Sequence, residues 1–201
     1  MSPRFLFLIA VALLSSCTTS SKYRQIPLRY EPTPKVVAGL AAKTFSIAVT
    51  DARPYVTHGN KVPAYVGIAR GGWGNPIDMV NGGKLSLAEQ MRGDLLKKFR
   101  ALGLTETSGS ASKQVSVRIR DWNFDAGIDA RFWYEVELTV ADSAGKLLAI
   151  SQAKDQKVIK ANLLTGPVVA LQKEVPVYYG EIIQELVRKD PLILSALRIE
   201  P

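Results

Sequence analysis

One cysteine and one histidine are all that 201 residues contain of the two commonest metal-binding and nucleophile-activating side chains. With Cys17 alone, an internal disulfide, a dithiol redox pair and a multi-thiolate zinc site are excluded, and the domain must be held by its core. His58 is equally alone. A histidine-based metal centre would have to gather carboxylates around it, and no stretch shows the spacing of a metal motif. A Ser-His-Asp triad would have to use His58, yet no serine sits in a nucleophile-elbow phrase. Asp125 and Asp129 are a conceivable carboxylate pair for glycan hydrolysis, with nothing else in the chain to support it. Within His58-Gly-Asn60 the imidazole reads as a solvated turn residue. No catalytic residue, metal ligand or cofactor is expected, and the chain is not read as an enzyme.

Long apolar runs are also missing. The longest, Phe5 to Leu14, has ten residues, about half of the ~20 that a spanning helix needs. It follows Arg4 and leads into Ser15-Ser16, the positive end, apolar segment and small-residue site of a secretory signal. Acidic residues are in deficit: 18 Asp and Glu stand against 26 Lys and Arg, a formal net charge of +8 that falls by one when Arg4 leaves with the signal. A basic chain often meets nucleic acid, but an exported one does not, so no nucleic-acid partner is expected. Anionic lipid headgroups, lipopolysaccharide phosphates and acidic proteins fit the charge, as does solubility alone.

What is present starts at the end of that signal. Leu14-Ser15-Ser16-Cys17 resembles the bacterial lipobox, whose peptidase cuts before the cysteine. The resemblance implies a diacylglyceryl thioether on Cys17 and a third acyl chain, such as palmitate, on its new amino terminus. Two or more chains anchor stably, at ~0.8 kcal/mol per buried methylene. Membrane lipid is thus the first partner. The residue after the cysteine is Thr18 rather than the Asp that retains such proteins at the inner membrane, so the inner leaflet of the outer membrane, facing the periplasm, is the expected address.

Three segments follow: a signal over 1–16, a lipidated cysteine and flexible tether over 17–42, and one domain over 43–201. Pro27, Pro32 and Pro34 with Ser/Thr-rich sequence suggest a tether. In the domain, Phe45, Ile47 and Val49 alternate with small or polar residues as in a half-buried strand. Residues 55–83 read as a long loop, with a short strand conceivable near Val62 to Ile68. This loop is rich in glycine yet holds Tyr55, Tyr65 and Trp73, and loops longer than about 12–15 residues are usually functional or disordered. Its glycines match no phosphate-binding fingerprint.

Ser86-Leu-Ala-Glu89 is a capping box opening a helix to about Leu102, with Leu87, Met91, Leu95, Phe99 and Leu102 as its apolar stripe and Gly103 as its stop. Glu89, Arg92, Asp94, Lys97, Lys98 and Arg100 are assigned to the rest of its surface. Val115, Val117 and Ile119 begin a strand. A second runs from Ala130 to Val140, with Phe132, Tyr134, Val136 and Leu138 on one face and Arg131, Trp133, Glu135 and Glu137 on the other. Asp142-Ser-Ala-Gly145 turns into a third strand ending near Ile159. A last helix is expected over Glu174 to Lys189, with Pro176 in its first turn and Val177, Tyr178, Ile182, Ile183 and Leu186 as its stripe. The fold class is therefore α+β, a single domain ordered strand, long loop, helix, three-stranded antiparallel meander, helix.

That order behind a lipobox resembles the YajG-like family of Gram-negative lipoproteins. The residues carrying the resemblance are Leu14 to Cys17, Ile47 to Arg53, Leu87 to Leu104, and the pair Val115–Ile119 and Tyr134–Leu138. It implies fold and location and brings no activity with it. Function is expected to be a non-catalytic protein-binding or envelope-assembly role, with an envelope protein as second partner. The alternative is binding of a small envelope ligand, whether glycan, lipid or lipopolysaccharide. Tyr65, Arg70, Trp73 and Asn75 in the 55–83 segment are the contact candidates, since aromatics stack on sugars and Arg pairs with phosphate.

Overall fold

A computed structural model describes residues 25–34, 44–70, 74–83, 85–109, 111–127, 129–160, 166–188 and 191–197. Cys17 and Trp73 lie outside these. The strands are β1 (Gln25–Ile26), β2 (Thr44–Asp51), β3 (Tyr65–Arg70), β4 (Pro76–Asn81), β5 (Thr105–Glu106), β6 (Lys113–Ala126), β7 (Ala130–Asp142) and β8 (Leu147–Ile159). The helices are α1 (Pro54–Thr57), α2 (Leu87–Ala101), α3 (Gly166–Arg188) and α4 (Pro191–Leu197). The mixed α+β, single-domain expectation is met: among the described residues, all eight strands join one sheet.

β6 organises that sheet. One edge carries β2 in parallel along its first half and β3 in parallel at Asp125 and Ala126, while its other edge pairs antiparallel with β7 throughout. β7 pairs in turn with β8, so the meander read from the sequence is present. Its turn is closed by Asp142, whose Oδ1 accepts from the Ala144 and Lys146 amides at 2.9 Å, and by Gly145 at φ 82°.

Strict alternation sends Val115, Val117, Ile119, Phe132, Tyr134, Val136, Leu138, Ala149 and Ala153 into one core. α2, α3 and α4 pack there: Phe99 meets Phe45 edge-on at 5.1 Å, and Trp122 meets Phe132 at 5.0 Å and Tyr179 at 5.8 Å. Each buried Leu, Ile or Phe contributes about 1.5–3 kcal/mol against exposure.

The capping box forms as read: Ser86 Oγ accepts from the Glu89 amide at 3.1 Å, and Glu89 Oε2 accepts from the Ser86 amide at 2.9 Å. Gly103 takes φ 99°, a left-handed stop.

Four expectations change. The 55–83 segment is not one loop; it contains α1 and the antiparallel hairpin β3–β4. Its glycines suggested a break in regular structure, but Gly67 lies within β3 because Phe124 presses on it, and a Cβ there would sit 2.5 Å from the ring. The tether assignment does not hold over 25–30. Gln25 and Ile26 pair with Val80 and Asn81, and Ile26, Leu28 and Tyr30 alternate into the core despite the neighbouring prolines. Pro27 is exposed, and no ladder bond is asked of it.

α3 starts eight residues before the expected Glu174, which places Pro176 inside the helix, and its buried stripe holds Tyr179 while Val177 is 53% exposed. Proline lacks only one donor, and two turns of packed residues ahead of it, including Leu171 and Val175, outweigh that loss. Finally, Asp94 and Lys98 are buried rather than solvated. α2 is covered on two sides, by β2 and by α3, and the Asp94 carboxylate accepts from Tyr179 Oη at 2.9 Å, Gln90 Nε2 at 2.7 Å and Lys97 Nζ at 2.9 Å.

Candidate binding surface

The pleat that buries Phe132 and Tyr134 turns Arg131, Trp133, Glu135 and Glu137 to the opposite face of β7. No described helix lies in the lining of that face. In register, Trp133 stands between Asn123 of β6 and Gln156 of β8, and Glu135 between Asp121 and Lys154. A bulge between Ile119 and Asp121 bends β6 there and re-aims its side chains. The result is an open cavity of about 940 Å³ lined by Arg70, Asp121, Asp125, Gly127, Asp129, Arg131, Trp133, Tyr134, Glu135 and the Lys154–Gln156 run of β8.

Its charges are of both signs. Arg70 clamps Asp125 with two bonds, Nε to Oδ1 at 2.8 Å and Nη2 to Oδ2 at 2.5 Å. Glu135 receives Lys154 Nζ at 2.6 Å and Gln152 Nε2 at 3.3 Å, with Arg120 Nε at 3.8 Å. Arg120 also reaches Glu137 at 3.1 Å, a cross-strand ion pair. Asp121 is half-buried; desolvation raises its carboxyl pKa, against the bonds it accepts from the Trp122 amide at 2.8 Å and Tyr55 Oη at 3.4 Å. Arg131 and Asp129 are exposed, with no ion pair among the described residues. Such a surface can stack on a flat apolar group at Trp133 and meet charges of either sign around it.

The predicted contact residues separate. Tyr65 is 3% exposed; its ring sits edge-on to Tyr55 at 5.5 Å and its Oη bonds Asn123 Oδ1 at 3.0 Å, so it offers no accessible face. Burial pushes its pKa up to about 12. Arg70 lines the cavity, already paired with Asp125, whereas Asn75 is exposed outside the lining. Sequence reading passed over Trp133, Arg131, Lys154 and Gln156 as contacts. Their sign was available: a tryptophan on the polar side of an amphipathic strand. His58 is exposed just after α1, and among the described residues no three His, Cys, Asp or Glu gather as a metal site. No described helix is long and apolar enough to cross a membrane.

No family model matches the sequence, and no curated protein matches it. Solved structures do resemble it. The protein XCC0632 from Xanthomonas campestris, of the family DUF330, superposes at TM-score 0.51 and 10% identity, covering 79% of this chain and 91% of its own; that likeness shows a shared fold. A minor lipoprotein from Acinetobacter baumannii gives TM-score 0.43 at 10% identity over 81% and 99%. The PelC dodecamer from Paraburkholderia phytofirmans gives 0.40 at 14% over 84% and 96%.

Proposed function

We propose that this chain is a lipid-anchored lipoprotein of the bacterial envelope, YajG-like and seated on the periplasmic leaflet of the outer membrane. In this reading it binds a partner protein, without catalysis, through the outer face of its sheet. The observation that carries the reading is the open cavity around Trp133, rimmed by exposed Arg131 and Asp129, which form no ion pair among the described residues. An accessible aromatic among charges of both signs is the composition of a protein-recognition patch, in which the aromatic supplies affinity and the charges supply orientation. Reach supports the same picture. Seven residues, or eight Cα steps, separate Cys17 from Gln25, the first residue of β1, so the leash spans at most about 27 Å. The domain stays close to its own membrane and the partner comes to it.

The test uses the full chain in cells. Mass analysis of the N-terminal peptide is expected to find acylated Cys17, and Cys17→Ser to release the protein into the soluble fraction. A photo-reactive side chain at position 131 is expected to crosslink one defined protein. Trp133→Ala should cut that product by roughly tenfold, the loss of about 1.4 kcal/mol at an aromatic contact, with no change in thermal midpoint. An undiminished product would remove Trp133 from the interface and the reading with it. Arg70 on the cavity wall favours one other reading, a small envelope glycan, lipid or lipopolysaccharide held in that cavity. A saturable tryptophan fluorescence change on adding such ligands, lost in Arg70→Ala, would replace the protein partner by that ligand.

A further inference from the structure

β8 is thirteen residues long and pairs only with β7; among the described residues nothing pairs with its other edge. A long free edge presents a row of unused backbone donors and acceptors, which proteins usually shorten, cover or charge. This edge is instead apolar at both ends. Leu147, Leu148, Ile150 and Val158 are four of the nine exposed large apolar side chains among the described residues, all on this one strand. We propose that β8 pairs antiparallel with β8 of a second copy about a two-fold axis through Ala153, joining two sheets into one.

Charge lets the strand pair with its own copy and narrows the register. With the axis at Ala153, Gln152 stands opposite Lys154 of the other copy, Ser151 opposite Asp155, Ile150 opposite Gln156, and Leu148 beside Val158; no like charges meet. Moving the axis one residue onward sets Lys154 against its own copy, and two residues onward sets Asp155 against its own copy, both destabilising. Moving it back shortens the overlap and leaves Ile150 opposite Lys154. Of the registers that avoid repulsion, the one centred on Ala153 overlaps the strand end to end. β8 is bulged at Leu148, so regular pairing runs from Ala149 to Lys157 and supplies about eight backbone bonds. The axis is perpendicular to the sheet, so both Trp133 cavities open on the same side, about 25 Å apart at ordinary strand spacing, with the Gln152, Lys154 and Glu135 groups of both copies between them. This pairing does not depend on acylation or on the identity of any partner protein.

The experiment is sedimentation of the mature acylated chain in detergent across a concentration series, with hydrogen exchange read on the β8 amides at each end of it. A monomer–dimer equilibrium is expected, with alternate β8 amides protected only in the dimer. Gln152→Lys places two like-charge pairs across the axis and should weaken association roughly tenfold; Val158→Lys should weaken it comparably. Both positions are exposed, so thermal midpoints at the dilute, monomeric end of the series should stay at the parent value, and Val177→Lys, exposed on α3, should change nothing. A chain that is monomeric at every concentration overturns the proposal. So does a dimer whose β8 amides exchange as in the monomer, or one indifferent to both β8 substitutions.

Discussion

Arg53 is the residue on which the most separate parts of the chain converge. It is fully buried, with Nε and Nη2 bonded to the Asp51 carboxylate at 2.8 and 2.6 Å, Nη1 to the Tyr65 carbonyl at 2.6 Å and Nη2 to the Pro63 carbonyl at 3.2 Å. Its guanidinium also lies 5.5 Å from the centre of the Tyr55 ring. A planar five-donor fork is the one side chain that can satisfy a carboxylate and two carbonyls at once. Removing it leaves Asp51 nearly buried and unpaired. Arg53→Ala is therefore expected to lower unfolding free energy by about 3–5 kcal/mol, measured by urea titration, while Asp51→Ala in that background costs little more. Nothing in the sequence marks this role, because the carbonyls that Arg53 collects lie ten and twelve positions away and show no local pattern.

Elements were legible where their periodicity and caps were complete within the segment. α2 announced itself by Ser86, Glu89 and Gly103, and the meander by alternation and its Asp-Gly turn. Ser86→Ala removes the acceptor for the Glu89 amide and should cost about 1 kcal/mol, read as a lowered urea midpoint with unchanged slope. What stayed illegible were elements whose local chemistry argues against them. β1 is two residues long beside a proline, and it exists because β4 offers a parallel edge and the core accepts Ile26, Leu28 and Tyr30. α3 runs through Pro176 because its stripe from Leu171 to Val187 is buried on both sides of it. Gly67 sits mid-strand because Phe124 leaves no room for a side chain.

At the scale of the whole molecule, three tyrosines join elements far apart in sequence: Tyr55 Oη donates to the Trp122 carbonyl at 2.7 Å, Tyr65 Oη to Asn123, and Tyr179 Oη to Asp94. Burial raises all three phenol pKa values, Tyr65 to about 12 and Tyr179 well above its ordinary range, with the Asp94 charge adding to the latter. The folded chain keeps these protons where the unfolded chain, with phenols near 10, gives them up. Stability from this source is complete below about pH 10 and declines as pH rises toward 12 and beyond. Urea midpoints should therefore hold up to about pH 10 and fall from there toward pH 12, and the fall should be shallower in Tyr65→Phe.

The sequence by itself determined the lone thiol and imidazole, the lipobox pattern, α2, and which residues of the meander share a face, since each follows from neighbours within one or two turns of chain. Only the tertiary structure decided what those faces meet. It drew Ile26, Leu28 and Tyr30 into the core and shortened the leash. It seated Tyr65 among buried groups, and it put Trp133 rather than the glycine-rich segment at the centre of the exposed cavity. Among the described residues it also left one edge of β8 unpaired. Each of these depends on which strand lies beside which, and pairings separated by tens of residues leave no period in the sequence from which to read them.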